Sequence, residues 1–356
     1  LAKDTKGLLL QRMMECVDGE YQTFKSKDGA YVRKHFFGKY PELLEMVAHM
    51  SDDDIWRLNR GGHDPHKVYA AYAAAVKHTG QPTVILAKTI KGYGMGEAGE
   101  AQNITHQQKK MGTTSLKAFR ERFGLPVADD KLDEAPYLLF DQDSPELAYM
   151  RERRQALGGF LHRRRRKADG EALQVPPLAA FDALLKAGGE GRESSTTMAF
   201  VRILNILVKD KNIGKRVVPI VADESRTFGM EGMFRQLGIY SHVGHLYPPQ
   251  AAEQLMFYKE EKTGQILQEG INEAGAMSSW IAAATSYSTH GIPMIPFYIF
   301  YSMFGFQRVG DLAWAAGDMR ARGFLLGGTA GRTTLNGEGL QHEDGHSHLW
   351  SAQIPN

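Results

Sequence analysis

An acidic residue at the start of a predicted helix is the first group in this sequence that could do chemistry. Glu273 lies in the stretch GINEAG at residues 270–275, and small and apolar residues follow it to position 288. A carboxylate in the first turn of a helix is common, because it interacts favourably with the helix dipole. That interpretation is the default for Glu273 taken by itself, and the neighbouring elements decide whether it holds.

The next predicted strand carries an unusual density of aromatic side chains, PFYIFY at residues 296–301. In open α/β sheets, ligands bind outside the carboxyl ends of the strands. We expect Phe297 and Ile299 to pack in the core. Tyr301 and Phe304 come at and just beyond the strand end, where we expect them to stack on a flat ring of a ligand.

A third candidate is a group of histidines, His342, His346 and His348, with Glu343 and Asp344 between them. Histidine and carboxylate are competent zinc ligands, so a zinc hydrolase is one hypothesis. The glycine within the group and the lack of a framing helix or second cluster weigh against it.

These groups must be positioned by the predicted helices and strands, which alternate along the chain. Asp64 and Pro65 predict the N-cap and first turn of an amphipathic helix. Residues 83–87, TVILA, form a continuous apolar run that predicts a strand covered on both faces. Residues 194–196, SST, offer an N-cap for another apolar helix. Further strands are predicted at residues 217–222, 265–268, 293–301 and 324–328. Helices that feed such strands indicate the α/β class, with parallel sheets flanked by helices.

Composition restricts the class of function. The 356 residues suffice for about two domains, and 43 Lys plus Arg against 41 Asp plus Glu leave no bulk charge to hold nucleic acid or an anionic membrane. No apolar run approaches the roughly 20 residues that cross a bilayer. The single cysteine, Cys16, excludes an internal disulfide framework and fits a cytoplasmic protein.

Several long motifs resemble those of the homodimeric, thiamine-diphosphate-dependent pyruvate dehydrogenases of bacteria. They are ADESRTFGMEG at 222–232, FGFQR at 304–308 and TTLNGEGLQHEDGHSH at 333–348, with NRGGHDP at 59–65 and TIKGYGMG at 89–96 upstream. The resemblance covers nearly the whole chain and is weakest at about 128–176. It implies a thiamine-diphosphate-binding fold and the following organisation. Residues 1–100 would be the C-terminal part of the diphosphate- and magnesium-binding domain, residues 101–177 a mobile loop and linker, and residues 178–356 the pyrimidine-binding domain.

The resemblance also implies roles for individual residues. Glu273 would hydrogen-bond a ring nitrogen of the cofactor's aminopyrimidine and so activate thiamine diphosphate, with Tyr301 and Phe304 beside that ring. Glu224 matches a carboxylate near the reacting centre, although an ordinary capping or solvated acid is an equal alternative. His342 would face the substrate, where histidine can bind a carboxylate or handle a proton near neutral pH. His346 and His348 are then structural.

Two upstream residues match the parts of the family that handle the acetyl group. His106 lies in a polar segment similar to the family loop that closes over the cofactor and helps to pass the acetyl group to a lipoyl arm. Lys91 matches an active-site lysine that can pair with an anionic substrate group, although an ordinary surface cation is the alternative. The implied partners are pyruvate, the lipoyl domain of dihydrolipoyl acetyltransferase and a second copy of the chain.

The family's magnesium and diphosphate motif is not found in this sequence. We expect it upstream of Leu1, and we expect a further C-terminal domain after Asn356, so that the chain is an internal fragment with weak cofactor binding and no activity of its own. Magnesium ligands are therefore assigned to none of these residues. Related enzymes such as a 2-oxoglutarate dehydrogenase or a transketolase, and a non-catalytic scaffold domain, remain alternatives.

Overall fold

The computed structural model describes residues 1–58, 61–161, 165–186, 191, 193–222, 225–249, 258–328 and 339–354. The chain divides into two compact units, Leu1–Arg154 and Gln155–Asn356. In the described part of the chain, no helix is both long enough and apolar enough to span a bilayer.

In the residues of the first unit that the structure describes, the regular structure is helical. Its helices are α1 (Leu8–Glu15), α2 (Asp18–Ser26), α3 (Gly29–His35), α4 (Pro41–Met46), α5 (Asp52–Trp56), α6 (Pro65–Lys77) and α7 (Thr113–Phe123), and α8 (Pro145–Ala156) crosses the boundary between the units. The core of the unit is formed by Phe24, Phe36, Phe37, Leu43, Val47 and Ile55. Arg12 is buried with it, because its guanidinium donates to the Phe36 carbonyl and to Glu20.

The capping signal at Asp64 is confirmed. The Asp64 carboxylate accepts hydrogen bonds from the backbone N–H groups of His66 at 3.0 Å and Lys67 at 3.2 Å, and Pro65 occupies the first turn of α6. The Asp64 carboxylate thus satisfies two backbone N–H groups that have no acceptor within the helix. The local sequence therefore determines where α6 begins.

The predicted strand at residues 83–87 is wrong. This segment has no strand assignment, and the side chains of Val84 and Leu86 are 82% and 92% exposed. A strand forms only when its backbone groups pair with a neighbour, and no described segment of the chain pairs with this one. The apolar composition of residues 83–87 was therefore not sufficient to predict a strand.

The second unit is built on a four-stranded parallel sheet in the order β4-β1-β5-β6. Its strands are β1 (Val217–Val221), β4 (Leu267–Gln268), β5 (Ile295–Tyr301) and β6 (Phe324–Gly328), while β2 (Ile239–Tyr240) pairs with β3 (Glu260–Glu261). The helices are α9 (Asp182–Leu185), α10 (Thr196–Lys209), α11 (Phe234–Leu237), α12 (Glu273–Ala284), α13 (Ser286–Thr289), α14 (Phe306–Asp318) and α15 (Ser347–Ser351). The four strands predicted in this half of the sequence all form.

Both faces of this sheet are covered, as the predicted α/β class requires. One core contains Val217, Val221, Phe297 and Ile299 with residues of α10. Alternate residues of the same strands, Val218, Ile220, Tyr298 and Phe300, pack on the opposite face against α12 and α14. Because successive side chains of a strand point to opposite faces, β1 and β5 contribute to both cores. Parallel strands flanked by helices are therefore confirmed.

Candidate functional site

Glu273 lies at the carboxyl edge of the sheet. Strand β4 ends at Gln268 and α12 begins at Glu273, so the short connection places the acid beyond the end of the strand. The Asn272 side chain caps α12 by accepting a hydrogen bond from the N–H of Gly275 at 3.0 Å. Tyr301 ends β5 at the same edge, because the two strands are parallel to β1.

The Glu273 carboxylate pairs with Arg308 of α14. Nη1 of Arg308 lies 2.5 Å from Oε1 of Glu273, and the exposed fraction of the side chain is 12% for Glu273 and 47% for Arg308. Among the described residues, Oε2 of Glu273 receives no hydrogen bond. One carboxylate oxygen is thus held by the protein, and the other remains available to a ligand.

Arg308 also contacts the aromatic end of β5. Its guanidinium carbon lies 4.2 Å from the centroid of the Phe304 ring, within the range of a cation–π interaction. Phe304 belongs to the 3₁₀ turn Ser302–Phe304 that follows β5. Arg308 therefore connects the acid at the start of α12 to the aromatic residues at the end of the neighbouring strand.

Tyr301, Phe304 and His342 form one ring cluster. The ring centroid of His342 lies 5.0 Å from that of Tyr301 and 5.3 Å from that of Phe304. Tyr301 and Phe304 are 6.0 Å apart and nearly edge to face, at 65°. Phe228 extends the cluster, 5.4 Å from Tyr301. The rings are half-buried rather than closed off in the core, apart from that of Phe228.

Asp344 attaches the loop that carries His342 to the end of β5. One carboxylate oxygen accepts a short hydrogen bond from the Ser302 hydroxyl, and the other accepts the N–H groups of His346 at 3.0 Å and Ser347 at 3.2 Å. Burial alone would raise the pKa of Asp344, but the hydrogen bonds that the carboxylate accepts outweigh it and bring the pKa well below its usual range. Asp344 is an anion at neutral pH.

Tyr298 lies beneath this edge, fully buried on the α12 face of β5. Its hydroxyl has no hydrogen-bond partner in the described part of the chain. Burial raises the pKa of Tyr298, the negative charge of Glu273 raises it further, and Arg308 opposes both. The hydroxyl therefore stays protonated, close enough to the Glu273–Arg308 pair to respond to its charges.

The first unit brings its two predicted residues together. Nζ of Lys91 lies 3.3 Å from Nδ1 of His106, and both side chains are exposed. The glycine-rich segment between them is anchored by Glu100, whose buried carboxylate contacts Arg122 and accepts the N–H groups of Gly94 and Gly96.

Glu273, Tyr301, Phe304 and His342 lie within one connected set of contacts, whereas Glu224 and residues 333–338 of the third motif fall outside the described residues. His346 and His348 are exposed, and the described residues include no group of three His, Cys, Asp or Glu side chains that could hold a metal ion.

Sequence reasoning gave no role to Arg308 or Ser302, and it considered Asp344 only as a possible zinc ligand. Arg308 and Asp344 stood inside quoted motifs, but 35 positions separate Arg308 from Glu273 and 42 separate Ser302 from Asp344. A local sequence pattern cannot predict side-chain contacts between residues so far apart in the chain. A cation one turn after an aromatic strand end was the available signal for Arg308.

Comparison with known proteins identifies similar chains. Residues 173–356 match the family described as "Pyruvate dehydrogenase E1 component middle domain". The whole chain is 74% identical over 356 residues to the pyruvate dehydrogenase E1 component of Cupriavidus necator, covering 39% of that protein. It is 68% identical over 355 residues to that of Pseudomonas aeruginosa and 61% identical over 356 residues to that of Escherichia coli K12, covering 40% of each. The chain thus spans about two fifths of the length of these relatives.

A solved structure of a transketolase from Campylobacter jejuni is a more distant neighbour. It aligns with 83% of this chain and 40% of its own, with a TM-score of 0.49 and 18% sequence identity. A likeness of this size does not establish a common function.

Proposed function

Since this chain belongs to the pyruvate dehydrogenase E1 component family, we propose that it is part of an enzyme that oxidatively decarboxylates pyruvate with thiamine diphosphate and Mg²⁺. The observation that carries the proposal is the continuous set of contacts from Glu273 through Arg308 and Phe304 to His342. Residues 178–356 would bind the aminopyrimidine, and residues 1–100 would belong to the domain that binds diphosphate and magnesium. The magnesium ligands would come from other parts of the longer protein.

The residues of the ring cluster suit the flat, basic ring of the cofactor. Tyr301 and Phe304 offer half-buried aromatic surface for stacking, and Glu273 offers a carboxylate oxygen that accepts no hydrogen bond from the part of the chain that the structure describes. When bound, thiamine diphosphate supplies the carbon nucleophile and the electron sink for decarboxylation of a 2-oxo acid. The chain must hold the ring, keep the acid oriented and exclude water.

Glu273 would hydrogen-bond a ring nitrogen of the aminopyrimidine through Oε2 and exchange a proton there. Arg308 supports this role, because it fixes the carboxylate through Oε1 and so limits the directions in which Oε2 can point. Partial burial of the acid strengthens a hydrogen bond to a ligand, since the local dielectric is low.

His342 would bind the carboxylate of pyruvate or handle a proton at the substrate. Its contact with both Tyr301 and Phe304 supports a location next to the ring that those residues would hold. Glu224 is proposed as a second carboxylate at the same centre on the resemblance of its motif alone.

Lys91 and His106 are proposed to act in the later transfer of the acetyl group to the lipoyl group of dihydrolipoyl acetyltransferase. Their 3.3 Å contact supports a joint role, since an ammonium and an imidazole can together bind an anionic group and move a proton. The full-length protein is proposed to work as a cytoplasmic homodimer.

The test of the proposal uses the full-length protein with pyruvate, thiamine diphosphate and Mg²⁺. Replacing Glu273 by alanine should lower carbon dioxide release by at least about 100-fold, the usual contribution of a positioned acid or base. Glu146 is a matched control, because it too lies in the first turn of a helix, α8, but is exposed. Glu146→Ala should leave the rate unchanged. Full activity of Glu273→Ala would show that Glu273 is only a helix-start charge.

The substrate is tested separately by comparing turnover of pyruvate, 2-oxoglutarate and a ketose phosphate by the same preparation. The proposal predicts that pyruvate gives the highest kcat/KM. A preference for either other substrate would keep the role of Glu273 and reject the assignment of the substrate.

A further inference from the structure

A carboxylate outside the proposed chemistry holds the segment that carries His342. Asp344 lies two positions after His342, at the end of the 3₁₀ turn Leu340–His342 and before α15. It accepts hydrogen bonds from backbone groups of its own loop and from the hydroxyl of Ser302, the residue that directly follows Tyr301.

The two oxygens of Asp344 have different tasks. Oδ1 accepts the N–H groups of His346 and Ser347, which fixes the turn of the loop itself. Oδ2 accepts the Ser302 hydroxyl, which ties that turn to the end of β5. The Ser347 hydroxyl adds a second link to the strand end, by donating to the Ser302 carbonyl at 3.3 Å.

Ser302 is a rigid point of attachment. Its side chain is buried, and β5, which precedes it, pairs with β1 on one side and β6 on the other. Tyr301 and Phe304 flank Ser302 on the same turn of chain. A loop fixed to Ser302 is therefore fixed relative to both rings that contact His342.

We propose that Asp344 is a positioning residue for His342, which acts by locking the His342 loop to Ser302 so that the imidazole stays against Tyr301 and Phe304. The proposal rests on the proposed function of His342, but the geometric part of it can be tested apart from catalysis. The anionic state of Asp344 suits the task, since hydrogen bonds to a charged acceptor are about twice as strong as neutral ones.

The chain offers variants that separate the two tasks. Asp344→Asn keeps Oδ1 as the acceptor of the two N–H groups but places an amide NH₂ where the Ser302 hydroxyl donates. Ser302→Ala removes the same bond from the other side. Asp210→Asn is a matched control, because Asp210 also accepts two N–H groups of its own turn, those of Asn212 and Ile213, at a site after α10.

The first measurement is hydrogen–deuterium exchange at the imidazole carbon of His342 in the full-length protein, resolved by mass spectrometry of fragmented peptides. In the wild type, His342 should exchange more slowly than exposed His348, because Nδ1 of His342 is buried. Asp344→Asn and Ser302→Ala should each speed exchange by about tenfold, since a hydrogen bond to a charged group is worth about that factor in an equilibrium. Asp210→Asn should not change it.

Unchanged exchange at His342 in both Asp344→Asn and Ser302→Ala would overturn the proposal. Their melting temperatures, compared with that of Asp210→Asn, show whether each variant is folded. If Asp344→Asn does not fold, Ser302→Ala decides, because it keeps the carboxylate and deletes only one hydroxyl.

The second measurement is kcat/KM for pyruvate in the full-length enzyme. Asp344→Asn and Ser302→Ala should lower it by similar factors, and Asp344→Asn should cost nothing further once His342 is alanine. An equal additional loss in the His342→Ala background would show that Asp344 acts elsewhere and overturn the proposal. If His342→Ala alone keeps the wild-type kcat/KM, the proposed role of His342 fails, and the exchange experiment still decides whether Asp344 positions it.

Discussion

Replacing Glu100 by glutamine should loosen the glycine-rich segment that precedes His106. The Glu100 side chain is 3% exposed, and its carboxylate lies 2.5 Å from Nη1 of Arg122. It also accepts the N–H groups of Gly94 at 3.2 Å and Gly96 at 3.3 Å. Burial alone would raise the pKa of Glu100, but Arg122 above all, and then further charges and N–H groups around it, lower the pKa. Glu100 is thus an anion inside the unit.

The size of the effect follows from the burial of this carboxylate. Glutamine has nearly the same shape as glutamate, but it lacks the negative charge that pairs with Lys25 and Arg122. Breaking a buried ion pair by removing one partner costs about 3–5 kcal/mol, whereas an exposed pair is worth about 0–1 kcal/mol. Arg122 is 25% exposed and stacks on Tyr93 and Trp56, so it remains partly compensated. We therefore expect the lower end of the buried range, about 3 kcal/mol.

The assay is amide hydrogen exchange of residues 91–107 in the full-length protein. A loss of about 3 kcal/mol corresponds to about 100-fold faster exchange wherever local opening limits the rate. Glu134→Gln is the matched control, because Glu134 pairs with Lys131 at 2.8 Å with side chains 60% and 52% exposed. It should change exchange in its own segment by less than about threefold. Unaltered exchange of residues 91–107 in a folded Glu100→Gln protein would show that Glu100 does not anchor this segment.

Three further changes test other parts of the account. Tyr298→Phe should raise the free energy of unfolding by about 1 kcal/mol, since a buried hydroxyl without a partner in the described part of the chain is costly. Tyr287→Phe is the control and should lower the free energy of unfolding by a similar amount, because it removes a hydroxyl that donates to a carbonyl at 2.9 Å. Chemical denaturation that shifts both variants in the same direction would contradict this prediction. The hydrogen bond from Lys39, with two others, lowers the pKa of Glu15 from 4.5 to about 2. Because the pKa of Glu15 is lowered in the folded protein, ionised Glu15 stabilises the fold fully above pH 4.5, and this stabilisation is lost as the pH falls to about 2. The difference in acid unfolding between the wild type and Glu15→Gln, followed by circular dichroism, should vanish over that interval; a difference that persists at the acid end would contradict the assignment. Asn272→Ala should weaken the start of α12 by about 1 kcal/mol through loss of the N-cap, and peptide exchange that is unchanged at the start of α12 would contradict it.

Features with local causes could be predicted from the sequence. The caps at Asp64 and Ser195 form because a side chain bonds N–H groups two or three positions ahead. Strand β5 was recognisable from its apolar run, and its predicted core residues Phe297 and Ile299 are buried. In each case the determining contacts involve near neighbours or simple burial.

Features that depend on partners distant in the sequence could not be predicted. Residues 83–87 have the composition of a buried strand, but no described segment pairs with them. The contacts of Glu273 with Arg308 and of Ser302 with Asp344 join different elements at the sheet edge, and only the fold brings them together. The sequence thus singled out Tyr301, Phe304 and His342 as candidate site residues, but not their contacts with one another or the side chains that hold them.

Activation of the cofactor by Glu273 can be measured by hydrogen–deuterium exchange at the thiazolium carbon of thiamine diphosphate bound to the full-length protein. With saturating cofactor and Mg²⁺, Glu273→Gln should slow this exchange by at least about 100-fold, while Glu146→Gln should exchange at the wild-type rate. Wild-type exchange in Glu273→Gln with the cofactor bound would contradict the account.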